Sequence, residues 1–247
     1  MPLDGVTARF LSIELNETLS DARVDRIYQP ERYDILLVLR CGNQNRRLLL
    51  SANPAAPRLH LTDADRENPG SPPMFCMLLR KHLLGARLID LTSPGFERLF
   101  ILRFSQINEL GDAVEKRLII EIMGRHSNMI LLNEDGRIHD AIQHVDDSIS
   151  RVREIMPARP YQLPPQQDKR DPLGLRDDLR QGIPWLSPAF SAKTLSGALL
   201  AVIQGFSPQL CQAVIHNAGL DERLRVAQLD DTAHSRLNRA LLLLLDG

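Results

Sequence analysis

The sequence is poor in cysteine, in net charge and in long apolar runs. Its three cysteines, Cys41, Cys76 and Cys211, lie far apart, so no Cys-x-x-Cys zinc or redox pair exists. An odd number of cysteines without a secretion signal points to a reducing compartment. Met1 to Asp4 hold no basic region leading into an apolar run, so no secretory or transit signal is visible. No apolar run approaches the roughly 18 residues that cross a bilayer. A cytoplasmic protein with no membrane association is therefore expected. Thirty Lys and Arg against 31 Asp and Glu leave a net charge of -1, which excludes a uniformly basic nucleic-acid binder but allows one basic face on a neutral body.

Several chemistries are missing as well. There is no glycine-rich phosphate loop and no regular strand–helix alternation, which argues against a doubly wound nucleotide-binding fold. None of the seven histidines forms a His-x-x-x-His or His-Glu-x-x-His ligand pair. His139 and His144, near Asp140, Asp146 and Asp147, read more simply as an irregular turn with solvated acids than as a metal site. No Gly-x-Ser-x-Gly elbow is present. Cys76 lies in an apolar run and reads as core. The expectation is no cofactor, no metal and no catalytic residue.

What is there is an ordinary globular composition. The 247 residues are 43% apolar and 25% charged, enough for one large domain or two ordinary ones with a core that needs no disulfides. Apolar positions at Leu3, Val6, Phe10, Ile13 and Leu15 step mostly by three or four, as in an amphipathic helix over 3–19. Short β-rich runs follow at 24–28, 35–41 and 46–51, the last two joined by Gly42-Asn43 as a hairpin, with a further short strand at 58–61. Residues 74–84 read as a second helix, started by Pro73 and stopped by Gly85. Runs at 87–91, 98–104, 116–121, 128–132 and 138–143 read as strands. The fold class expected is α+β: an antiparallel, sandwich-like sheet domain with two flanking helices, over 1–175.

Residues 157–188 are rich in proline and read as a linker. A small helical domain is expected over 189–247. Residues 191–204 form its first helix. Ser207-Pro208 starts the next, which Gly219 ends. Asp221 is placed to cap a third, and 230–245 supplies a fourth. Five leucines, Leu241 to Leu245, lie almost at the end, an apolar face that wants a partner or more chain. A piece of a longer protein is expected.

The densest polar cluster is Glu121-Ile122-Met123-Gly124-Arg125-His126-Ser127-Asn128. Arg125, His126, Ser127 and Asn128 bring together a guanidinium fork, an imidazole, a hydroxyl and an amide, groups suited to RNA phosphate, ribose and base edges. The alternative is a tight connection whose polar side chains satisfy their own backbone. Glu97 and Arg98 stand at a strand entrance, where the arginine can reach a phosphate; as an ordinary surface pair they would contribute under about 1 kcal/mol. Arg80 and Lys81, with His82, crowd the end of the second helix, either as partners of the helix dipole or as a small basic patch.

Four strings then become recognisable: Asp4-Gly5; Ile27-Tyr28-Gln29-Pro30; Pro73-Met74-Phe75-Cys76-Met77-Leu78-Leu79-Arg80-Lys81-His82-Leu83; and the run from Arg117 through Asn128. Together they resemble the NFACT family, which includes the RqcH-type bacterial factors, also known as fibronectin-binding proteins, and eukaryotic ribosome quality-control factors. The resemblance covers essentially the whole chain. It implies an N-terminal domain similar to that of the Fpg/Nei glycosylases, followed by a helix-two-turn-helix domain. It implies binding to large (50S) ribosomal subunits that hold peptidyl-tRNA, and recruitment of tRNA, alanyl-tRNA in bacteria, for template-free C-terminal tailing. Peptide bond formation then belongs to the ribosome. A family Asp-Arg pair needed for tRNA recruitment matches Glu97-Arg98 here, with one added methylene. Full members carry a coiled-coil arm and a further small RNA-binding domain, so a cut before the coiled coil is implied. A glycosylase is disfavoured: Pro2 is followed by Leu3 where a glutamate should stand, and no four-cysteine finger exists. The alternatives are a fibronectin-binding surface adhesin, with fibronectin as partner, and a non-catalytic nucleic-acid-binding adaptor.

Overall fold

The computed structural model describes residues 3–107, 111–150, 152–165 and 167–246; Pro2 and Gln166 fall outside them. The chain forms two compact units. The first is built from Leu3, Thr7–Pro94 and Arg98–Pro165. The second takes Asp4–Val6, Gly95–Glu97 and the residues from 167 on.

In chain order the first unit contains α1 (Gly5–Leu19, whose first residues belong to the second unit), β1 (Arg23–Glu31), β2 (Asp34–Cys41), β3 (Gln44–Ser51), β4 (Arg58–Leu61) and α2 (Met74–Leu83). Then come β5 (Arg87–Thr92), β6 (Leu99–Ile107), β7 (Ala113–Glu121), β8 (Asn128–Leu132) and β9 (Ile138–Ala141). The strands make one antiparallel sheet in the order β4-β3-β2-β1-β5-β6-β7-β8-β9. Its halves join where Arg23 pairs with Arg87. Alternate residues of both halves, such as Leu37, Leu48, Phe104, Leu118 and Leu131, point into one core with Leu15 of α1 and Leu79 of α2. This shared core between the two half-sheets is the sandwich-like character. On the reverse face Leu99, Ile119, Ile130, Ile138 and Ile155 form a smaller cluster.

Turn chemistry fixes the register. Gly42, at φ +57°, closes the β2–β3 hairpin, and Cys41 pairs with Gln44 across it. Pro73 is the N-cap of α2, one position earlier than a first helical residue, and Gly85 at φ +78° follows its C-cap.

The expected linker at 157–188 is corrected. Its first part belongs to the sheet edge: Ala158 N donates to Ile138 O, Ile138 N to Arg159 O and Tyr161 N to Gly136 O. Its later part contains α3 (Pro172–Arg180), capped by Asp171, whose carboxylate accepts from Leu173 N and Gly174 N. A proline at the first helical position starts a helix rather than preventing one.

The second unit continues with α4 (Leu195–Val202), α5 (Pro208–Asn217) and α6 (Asp231–Asp246), around a core of Leu175, Trp185, Leu199, Ile215, Leu237 and Leu241. Thr194 and Ser207 cap α4 and α5, contacts that stabilise each helix by about 1 kcal/mol. The third helix expected from Asp221 does not form. Leu195 N donates to Leu224 O, Val226 N to Lys193 O and Ala227 N to Ser191 O, so residues 224–227 pair with 191–195, and only a short 3-10 turn, Val226–Gln228, stands there. The same pairing delays the start of α4 from 191 to Leu195. Asp221 instead makes a local turn, accepting from Arg223 N.

Candidate nucleic-acid interface

In the first unit the β7–β8 connection presents the polar cluster. Strand β7 ends at Glu121, a short 3-10 turn covers Gly124–His126, and β8 starts at Asn128. Gly124 adopts φ +59°, a conformation that side chains disfavour, and it lets the chain reverse within the turn. Ile122 N donates to Arg98 O at 2.8 Å, which brings Arg98, just before β6, beside this turn.

The four consecutive residues divide into two pairs. Ser127 and Asn128 are buried. Ser127 Oγ accepts from Met123 N at 2.9 Å. Asn128 Nδ2 donates to Gln143 O at 2.8 Å, and its Oδ1 accepts from Met129 N and Gln143 N. Their polar atoms hold the turn's own backbone. Arg125 and His126 are exposed. Arg125 Nε donates to His126 Nε2 at 3.0 Å, which makes that nitrogen the acceptor and orients both side chains together.

Arg98, Arg125 and His126 line one cavity of about 510 Å³, with Ile149, Val152 and the two prolines Pro164 and Pro165 on its apolar side. Among the described residues neither Arg98 nor Arg125 has an ion pair. Two available guanidinium forks above an apolar wall can take a phosphate and let a ribose or base rest beside it.

Below this cavity is a device that sequence reasoning did not find. The fully buried Glu121 carboxylate pairs with Arg153 and accepts from Tyr161 Oη at 2.8 Å. Arg153 also donates to Gln162 O at 2.8 Å. Burial would lower the Arg153 guanidinium, but its bonds to Glu121 outweigh that and raise it; burial, then the Glu121 charge, pushes the Tyr161 hydroxyl up. Through these contacts Glu121 ties the segment that walls the cavity to β7. The only sequence signal was an acid at the end of an apolar strand.

Arg80 and Lys81 do not line this cavity. Arg80 Nε donates to Ile27 O at 2.8 Å, and its guanidinium lies 5.8 Å from the Tyr28 ring. Lys81 is exposed. Beside it the His82 and His139 rings meet edge-on at 4.2 Å between centroids, and His82 Nε2 has no hydrogen-bond partner among the described residues. Burial, then His139 and the nearby lysines Lys116 and Lys81, pushes His82 down to about 4. His144 contacts Asp140 at 2.6 Å, and among the described residues no group of three or more metal-ligating side chains gathers.

Glu97 belongs to the second unit, where Gln204 Nε2 donates to its carboxylate at 2.7 Å. Close by in the chain's packing, Gly5 N donates to Gly205 O at 2.8 Å, and Asp4 accepts from Ser207 Oγ at 2.8 Å. A Cβ on Gly5 would fall 1.8 Å from Phe96 O and 2.6 Å from Gly205 Cα. Gly5 is therefore required by packing.

Among the described residues no helix is long and apolar enough to cross a membrane. Among known proteins, the chain is 36% identical over 226 residues to the Rqc2 homolog RqcH of Bacillus subtilis, covering 91% of this chain and 39% of that protein. It is 28% identical over 156 residues to the Ribosome quality control complex subunit NEMF of Mus musculus, covering 62% of this chain and 14% of that protein. The chain thus spans about two fifths or less of these curated relatives. Among solved structures, the N-terminal part of the fibronectin/fibrinogen-binding protein from Streptococcus suis superposes with a TM-score of 0.81 at 28% identity, covering 99% of this chain and 84% of that one. The family model for the NFACT N-terminal and middle domains matches residues 4–246, and the chain belongs to the NFACT family.

Proposed function

We propose that this chain is the tRNA-holding part of a ribosome quality-control factor. It acts on large ribosomal subunits that retain peptidyl-tRNA after a stall, and positions tRNA, alanyl-tRNA in this reading, for template-free tailing of the nascent chain. The observation that carries the proposal is the cavity where Arg98 and Arg125, neither with an ion pair among the described residues, stand together with His126, in a chain so similar to RqcH and NEMF. Two guanidinium forks, one on the turn and one beside it, suit phosphate, and a net charge of -1 leaves the rest of the body with little general attraction for RNA. Affinity then depends on the local patch and on the effective concentration that the ribosomal subunit provides. Glu97 and Arg98 take the place of the family's Asp-Arg pair. The factor itself performs no bond-making step; peptidyl transfer falls to the ribosome. The cell compartment of this work is the cytoplasm.

The test is to isolate full-length protein on peptidyl-tRNA-loaded large subunits, wild type beside Arg98→Ala, and to identify the co-purifying tRNA. Loss of alanyl-tRNA from the variant with subunit binding retained is the expected result. Absence of tRNA from both samples would overturn the reading. A second reading, a fibronectin-binding protein, draws support from the name of the Streptococcus suis relative. Saturable binding of the full-length protein to immobilised fibronectin, unchanged by Arg98→Ala, would favour it.

A further inference from the structure

A second cavity, of about 420 Å³, shares Arg98 and the Gly124 turn with the first but opens onto different residues: Arg58 and the loop Pro54, Ala55, Ala56, Pro57. No carboxylate lines it among the described residues. Arg58 is built into place by the sheet. Asp34, Ser51 and Arg58 stand in one cross-strand row, since Asp34 pairs with Ser51 and Ser51 with Arg58. The Asp34 carboxylate is buried, accepts from Ser51 Oγ at 2.6 Å and from Arg66 Nη1 at 2.8 Å, and lies 3.7 Å from Arg58 Nη2. Arg58 Nη1 donates to Ala56 O at 2.7 Å. The loop is stiffened by its own turn: Asn53 Oδ1 accepts from Ala55 N at 3.0 Å, and Ser51 Oγ accepts from Asn53 N at 3.3 Å.

Charge accounting sets the ligand. One carboxylate faces two guanidinium groups, Arg58 and Arg66, and neutralises one of them. Arg98 adds a further positive charge at the same void with no ion pair among the described residues. The Nε–H of Arg58 makes no hydrogen bond there either. Like charges that share a partly enclosed space repel until an anion enters. Planar forks favour a tetrahedral oxyanion with several acceptor oxygens, and the proline–alanine wall gives an apolar surface of the kind a ribose face can cover.

We infer that this second cavity is a phosphodiester subsite for RNA, in which Arg58 and Arg98 hold the phosphate next to the one gripped at the Arg125 turn. The inference rests on the RNA-holding reading above and deepens it: Arg98 becomes the shared post between two successive phosphates, and Arg58 is a binding residue.

The test measures binding of fluorescently labelled deacylated tRNA to the full-length protein across a series of salt concentrations. Arg58→Gln is expected to weaken binding about tenfold and to lower the slope of log affinity against log salt by about one. Because Arg58 also touches the Asp34 network, Ala55→Glu is made beside it. This variant puts a carboxylate into the cavity from an exposed loop, leaves the network intact and is expected to weaken binding at least as much. Gln44→Glu, at the opposite end of β3, is the charge control and is expected to stay within twofold of wild type. If Arg58→Gln and Ala55→Glu both bind as wild type while Arg98→Ala does not, the second subsite is overturned and the first stands. If wild type binds no tRNA either alone or with large ribosomal subunits added, the underlying RNA reading falls, and this inference falls with it. If Arg58→Gln loses its thermal unfolding transition, Ala55→Glu against Gln44→Glu decides.

Discussion

The turn between β7 and β8 and the end of α2 are both short basic stretches on the first unit, yet they use their charge in opposite ways. At the end of α2, Arg80 is bonded to a backbone carbonyl, and the lysines lie beside two histidines that burial first, and neighbouring charges second, keep neutral. At the turn, the cations with ordinary partners are below the surface, where Arg153 answers Glu121, while Arg125 and Arg98 above have no ion pair among the described residues. The lesson is that a usable cation is one whose framework is already neutral. The buried pair fixes the cavity wall, so the exposed forks need not contribute to folding and are available to a ligand.

The strongest way to break this contrast is to remove its foundation. Glu121→Ala leaves the Arg153 guanidinium buried without its carboxylate and is expected to destabilise the protein by about 3–5 kcal/mol in urea unfolding. A loss below about 1 kcal/mol would mean that the pair does not support the cavity. At the α2 end the expected signature is in pH. His82 and His139 titrate below an unfolded histidine, burial first and neighbouring charges next, so the folded form keeps them neutral. Their stabilisation is complete above about pH 6.5 and is lost as pH falls toward 4, because the unfolded chain then binds protons that the folded chain refuses. Since the rings are partly solvated, a loss of about 1–2 kcal/mol between pH 7 and 5 is expected, and His82→Phe should flatten it. A pH-independent midpoint in wild type would remove the histidine pair from this picture. The smallest effect sharpens the contrast most: Lys81→Ala should change tRNA affinity less than twofold, whereas Arg98→Ala should cost about tenfold. Equal losses would mean that both regions face the RNA.

Much of this was legible beforehand. The strand runs, the Gly42 hairpin, α2 and the cap Ser207 are local, and local chemistry declares itself in sequence. The turn at 121–128 was visible as a polar interruption between two apolar strands. What could not be read was which of its side chains face inward. Ser127 and Asn128 look as suited to RNA as Arg125 and His126, and only the path of the chain at Gln143 shows whose backbone they serve. Arg153 and Tyr161 stand 32 and 40 residues from Glu121, beyond the reach of any spacing rule. The absent third helix has the same origin: Asp221 is a sound capping residue, but the distant 191–195 segment claims the backbone that helix would have used. The proline-rich stretch misled for the opposite reason, since Pro172 was weighed as a breaker when its position after Asp171 makes it a starter.

The crossing of Gly5 over Gly205 bears on how this sequence is compared with its relatives. With Phe96 O only 1.8 Å from where a Cβ would stand, selection at Gly5 is a matter of volume. At Gly5 the steric exclusion binds any chain that takes this fold, whatever it holds, whereas at Arg98, on the function proposed above, the demand comes from a ligand. A homologue that has lost its RNA partner should therefore drift at Arg98 while Gly5 stays fixed, and that divergence of rates would date the loss.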